Sequence, residues 1–168
     1  MGRRILLVSG VVSLGAFLFF YPLEVLTLTK GEEVLFCAKV NPGDTFQLAF
    51  LHSIALSEVR DFFLIDGEHR IVLTETRFQG QGTGLPSNPA PGERLHREGD
   101  WFRITGMQRV LPSIHWRVQS QWRNRFRFGS DSEADLSARI GDVLIHIQVQ
   151  KMNPVSYSGA WLKSKNLS

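Results

Sequence analysis

Cysteine is nearly absent, with Cys37 alone in 168 residues. No internal disulfide can form, and no cysteine framework for a metal exists. Val34, Leu35 and Phe36, just before it, lack the small residue that lipid attachment at a cysteine requires, so Cys37 reads as an inert core thiol on a strand. His69, His96, His115 and His146 show no metal-ligand spacing with one another or with Cys37, and neither a metal nor a cofactor is expected. Helical periodicity is also scarce beyond the first two dozen residues. That scarcity bears on Gln79-Gly80-Gln81-Gly82-Thr83-Gly84, which looks like a phosphate-cradling loop. Such loops open a helix, whereas Leu85-Pro86 follows here, which argues against dinucleotide binding. The glycines then serve positive φ or close backbone approach, around a ligand or a partner strand. Internal repeats and low-complexity segments are lacking too.

Long apolar runs are missing with one exception. Arg3 and Arg4 precede an uncharged, mostly apolar run from Ile5 to Tyr21, closed by Pro22 and Glu24. A spanning helix needs about 20 apolar residues, so the run is at the short end. A small-residue cleavage pattern is poor, since Phe17-Leu18-Phe19-Phe20 follows Ala16, which favours a retained transmembrane anchor over a cleaved signal and a secreted product. The arginines set the orientation: positive flanks stay cytoplasmic, and the rest of the chain faces outward, on the periplasmic side of the cytoplasmic membrane. The expected division is an anchor or signal segment over 1–24, an extracytoplasmic domain over 25–152, and a polar, frayed tail over 153–168. Nucleic acid is not an expected partner for such a domain.

The net charge of +3 conceals an uneven spread. From Glu24 to Glu75 there are nine acidic and four basic residues; from Arg94 to Arg127 there are eight arginines against Glu98 and Asp100. Complementarity between facing strands is the favoured explanation, and a docking surface for an acidic partner or an anionic ligand is the functional one.

Period-two alternation recurs after the anchor, so the fold class is all-β, a single antiparallel sandwich or partly open barrel. Val25 to Leu28 and Val34 to Lys39 form a first hairpin, and Asn41-Pro42-Gly43-Asp44 a turn. Thr45 to His52 makes a strand with His52 on its bulkier apolar side. Glu58 to Ile65 and Arg70 to Phe78 pair across Asp66-Gly67. From Gln79 to Asp100 regular pattern vanishes among glycines and prolines, a functional or mobile stretch. Trp101 to Thr105 is a short strand. Ile114 to Phe128 alternates at length, either as one strand or as two joined around Ser120-Gln121, with Arg123, Arg125 and Arg127 in one row. That row is a solvated or edge-protecting face in the favoured reading, and an anion site in the other. Asp142 to Gln150 closes the sheet.

His52-Ser53 beside Asp61 and Glu75 invites a hydrolase reading, but adjacent strand residues point to opposite faces and His52 cannot then activate Ser53. No catalytic residue is assigned. A ligand sensor that uses His52 and Glu75 is a further alternative.

Three segments together resemble a known family: Val40-Asn41-Pro42-Gly43-Asp44-Thr45-Phe46, then Leu51-His52-Ser53-Ile54, then Glu75-Thr76-Arg77-Phe78 with Gly82-Thr83-Gly84-Leu85-Pro86. In this order after an N-terminal hydrophobic segment, they resemble the domain-of-unknown-function family numbered 1850, over about Leu26 to Gln150. The resemblance implies a small, mostly β, exported or anchored protein. It also implies a non-enzymatic accessory role beside the permease and the solute-binding protein of a TAXI-type TRAP transporter. The positions it marks are His52, Ser53, Glu75, Gly82, Gly84, Leu85 and Pro86. Where the family tends to place an acidic residue soon after the histidine-serine pair, Ala55 stands here, and Asp61 belongs to the same acidic neighbourhood.

Overall fold

Turn chemistry fixes the first half of the chain in the computed structural model, which describes residues 21–80 and 89–164. Strands β1 (Leu23–Lys30) and β2 (Glu33–Lys39) form the expected hairpin. At the Asn41–Asp44 turn, the Asp44 carboxylate accepts from the Asn41 N–H at 2.8 Å and Gly43 takes φ +98°. Strands β3 (Thr45–Leu51), β4 (Glu58–Ile65) and β5 (Ile71–Gln79) then run as an antiparallel meander. The β4–β5 turn is held by Asp66, whose Oδ1 accepts from the N–H groups of Glu68 and Arg70 at 2.9 and 2.8 Å.

Residues 89–100, the described part of the glycine- and proline-rich stretch after Gly80, are more ordered than their composition suggests. Arg94–Glu98 forms β6 on the open edge of β7 (Trp101–Thr105), and β8 (Arg109–Leu111) also pairs with β5. Every β6 residue is exposed, so no apolar alternation marks it, and it is held by backbone pairing to its neighbour. The turn before it is pinned by Glu93, which accepts from the Ala90 N–H and pairs with Arg109 at 2.8 Å. Gly106, at φ +75°, lies so close to the Gly92 carbonyl that a Cβ there would sit 2.9 Å from the oxygen.

The long alternation resolves into two strands in different sheets, β9 (Ile114–Val118) and β10 (Arg125–Phe128). A short 3₁₀ turn at Ser120–Trp122 separates them, and the buried Asn124 accepts from the Gln119 N–H at 2.9 Å while its own N–H donates to Ser137 Oγ at 2.7 Å. Ser120 and Asn124, which interrupt the apolar register, thus mark the corner. The chain continues through β11 (Ala134–Asp135), α1 (Leu136–Ile140) and β12 (Val143–Met152).

Two antiparallel sheets result, ordered β2-β1-β12-β9 and β11-β10-β3-β4-β5-β7-β6. They share a core of Leu26, Leu28, Ile145 and Ile147 from the smaller sheet and Phe46, Leu48, Phe63, Ile65 and Ile71 from the larger. Each such side chain contributes about 1.5–3 kcal/mol by leaving water. A second cluster of Val59, Phe78, Phe102, Ile104 and Met107 extends along the larger sheet. The expectation of an all-β sandwich holds.

The frayed tail does not hold. Residues 154–164 form helix α2 (Pro154–Ser164), which packs on β2. Proline suits the first helical position, and Asn153 caps the helix by accepting from the Ser156 N–H at 2.8 Å. Tyr157 and Ala160 then join Val25 and Cys37 in a third apolar cluster, so the buried run Val25 to Leu28 reflects cover on both faces of β1. Among the described residues no helix is long and apolar enough to cross a membrane. The anchor read at 1–24 lies, except for its last residues, outside the described ones.

Candidate functional site

The β3–β4 connection is a built turn, with His52 inside it. Strand β3 stops at Leu51, so His52 does not occupy the apolar strand face expected of it. Its N–H donates to the Ser57 carbonyl, and its carbonyl accepts from Leu56 N–H, both at 2.8 Å. Ring Nδ1 accepts from the N–H groups of Ile54 and Ala55 at 3.3 and 3.2 Å, which places the ring proton on Nε2. The turn holds Leu56 at φ +50° and leaves Ile54 and Leu56 68 % and 66 % exposed. Ser53 is exposed, and no hydrogen bond joins it to His52 among the described residues. Gly80 lies at the same end of the sheet, just beyond the Val59–Phe78 pair, and its N–H reaches the Asp100 carbonyl at 3.4 Å. Gly82, Gly84, Leu85 and Pro86 lie outside the described residues.

Asp61 occupies the inner face of β4 together with Val59, Phe63 and Ile65, because alternate residues share a face. It stands between Leu48 and Thr76 on the neighbouring strands, and Thr76 Oγ1 donates to Oδ1 at 2.8 Å. Some solvent contact remains, yet enough protein surrounds the carboxyl that burial raises its pKa against the effect of the Thr76 hydrogen bond.

The outer face of the same sheet carries the densest charge. Strand register sets Arg60 opposite Arg77, Arg77 opposite Arg103, and Arg103 opposite His96. Like charges directly opposed across strands are unfavourable, and a carboxylate bridges one of these contacts, Arg77 with Arg103. Glu75 bridges Arg77 Nε and Arg103, the latter at 2.6 Å. Glu58 bridges Arg60 Nε at 2.6 Å and Arg125 at 2.7 Å, across the small Ala49 of β3. Arg125 also pairs with Glu133 at 2.9 Å, and Arg127 donates to Gln47. Burial disfavours the charged forms of Glu75 and Glu58. The hydrogen bonds from Arg103 and Arg77 to Glu75, and from Arg60 and Arg125 to Glu58, outweigh that effect and hold both carboxyls below the usual glutamate range. The guanidinium of Arg60 lies 5.8 Å from the Trp101 ring centre and that of Arg77 lies 4.8 Å from the Phe62 ring centre.

The residues singled out from sequence therefore fall in different places. Glu75, Arg125 and Arg127 join the outer charged face, whereas Asp61 lies on the inner one. Arg123 leaves the row altogether: it follows the 3₁₀ turn at φ +48°, off the strand. His52 and Glu75 do not converge either, since Glu75 pairs with Phe62, four residues or about 13 Å along β4 from the turn. Sequence reasoning missed Glu58, Arg60, Arg77, Arg103 and Trp101 as site members. The charged pairs Glu58/Arg60 and Glu75/Arg77 at a spacing of two were the available signal, because that spacing puts both on one face. Among the described residues no group of histidine, cysteine, aspartate and glutamate is arranged to hold a metal.

These features define a small antiparallel sandwich with a charged outer face and a stiffened hairpin end. A family model described as "Domain of unknown function (DUF1850)" matches residues 46–134, from β3 through β10 and into β11, and the chain belongs to that family. No curated protein and no solved structure matches.

Proposed function

We propose that this chain is a non-enzymatic accessory protein of a TAXI-type TRAP solute transporter. Anchored by its N-terminal apolar segment at the outer face of the cytoplasmic membrane, it docks the His52–Ser57 turn and the neighbouring Gly80 segment on the permease or the solute-binding protein. The carrying observation is the turn itself. His52 spends Nδ1 and both backbone polar groups on holding the loop, and the product is a fixed tip that presents Ile54 and Leu56 to solvent. Exposed apolar side chains on a preordered loop lose little conformational freedom on docking. A base for Ser53 would need a histidine nitrogen within hydrogen-bond reach of the hydroxyl, and among the described residues no such bond supports a hydrolase reading.

Co-expression with the permease and the solute-binding protein, followed by co-purification from detergent, tests the proposal. Ile54→Asp and Leu56→Asp should each lower partner recovery at least tenfold while leaving the thermal midpoint nearly unchanged, because both side chains are exposed. Full recovery in the double variant rejects this surface.

A further inference from the structure

We infer that the gap between Arg60 and Arg77 on the outer face of the larger sheet is a binding site for a small organic carboxylate. The pattern of bridging points to it. Along the row Arg125, Arg60, Arg77, Arg103, two of the three successive arginine contacts are closed by a carboxylate of the chain: Glu58 between Arg125 and Arg60, and Glu75 between Arg77 and Arg103. The middle contact, Arg60 with Arg77, is the directly opposed pair in the β4–β5 ladder and has no carboxylate between its members. Each of these two arginines gives Nε to its own glutamate, and neither donates a terminal nitrogen to a protein acceptor among the described residues. Both arginines line the same cleft, so its wall is cationic from two adjacent strands. A planar oxyanion there would do for Arg60 and Arg77 what Glu58 and Glu75 do for the flanking contacts.

The surroundings set the size and character of the ligand. The gap opens into a cleft of about 270 Å³ lined by Arg60, Arg77, Glu98, Trp101 and Arg103. That volume is at the lower limit for ligand pockets, which favours a molecule of a few carbons. Trp101 supplies an apolar wall for a carbon skeleton, and Glu98 opposes any anion of high charge density. A carboxylate with a short carbon chain therefore fits better than phosphate. The site lies on the sheet face and does not rest on the docking role of the hairpin tip.

Titration of the 168-residue chain in detergent with propionate, and separately with inorganic phosphate, tests the inference at ionic strength held constant with chloride. The readout is the Nε–H resonances of Arg60 and Arg77 and the indole N–H of Trp101. Saturable shifts at these three groups with propionate are expected, with Arg60→Gln and Arg77→Gln each raising Kd at least tenfold and Arg117→Gln, on the other sheet, leaving it unchanged. Shifts that rise linearly without saturation, saturation by phosphate alone, or propionate affinity retained in the Arg60→Gln/Arg77→Gln double variant would overturn it. If a variant fails to fold, the site-restricted saturation in the unsubstituted chain decides the matter. Because Ile54→Asp/Leu56→Asp should bind propionate normally, failure here and failure of the docking role are separately visible.

Discussion

Asp61 and Glu75 occupy neighbouring rungs of the β4–β5 ladder, opposite Thr76 and Phe62 respectively, and so point to opposite faces of one sheet. The inner carboxyl has a single hydroxyl for company, while the outer one is gripped by two guanidinium groups. Identical chemistry consequently has opposite titration behaviour. Glu75, with its pKa lowered on folding, stabilises above the ordinary glutamate range and loses that contribution as pH falls through the lowered value. Asp61, with its pKa raised, contributes fully below the ordinary aspartate range and loses its contribution as pH rises through the raised value. The lesson is that a sheet can place adjacent acids in unlike environments without any change of backbone.

The contrast can be broken most sharply at Glu75. Glu75→Gln keeps the shape but removes the charge between Arg77 and Arg103, and should cost about 1.5–3 kcal/mol in urea unfolding at neutral pH, shrinking as the medium becomes acid enough to protonate the wild-type group. Equal stability at neutral pH would contradict the bridging role. Asp61→Asn should have a smaller effect of a different kind. Wild-type stability contains a term that declines as pH rises from the acid range through the raised Asp61 pKa, and the variant should lack it; parallel stability profiles for the two proteins would show that the inner carboxyl is not perturbed. Smallest is His52→Ala, which removes an acceptor for two long hydrogen bonds, one exposed and one part-buried, and should cost about 0.5–1 kcal/mol. Its signature is local: faster amide exchange at Ile54 and Ala55, with rates in β1 and β12 unchanged.

How much of this was legible depends on the kind of signal each part leaves. Strands β1 to β5, β7 and β12 carry apolar alternation or sit beside strong turns, and their positions follow from the chain alone. Strand β6 has no buried residue and exists because β7 offers an unpaired edge, so nothing local announces it. Helix α2 is short, with Ser156, Ser158 and Lys163 interspersed among its apolar residues, and its seat on Cys37 and Val25 is a tertiary fact. The candidate site shows the same division. Glu75, Arg125 and Arg127 could be named as members, and the parity of Glu58 with Arg60 could be read. That Arg60 faces Arg77 rather than a carboxylate depends on register across strands, which alternation within a strand does not specify. That Asp61 and Glu75, both set beside His52-Ser53 in the hydrolase reading, lie on opposite faces depends on the same register.

The thiol of Cys37 lies beneath helix α2, 3 % exposed, and burial pushes its pKa up to about 11. Since the chain has one cysteine, alkylation in the absence of denaturant reports opening at a single place, where that helix covers its strand. The protein thus carries a built-in gauge of how firmly its C-terminal segment is latched, readable by mass spectrometry without adding a label site.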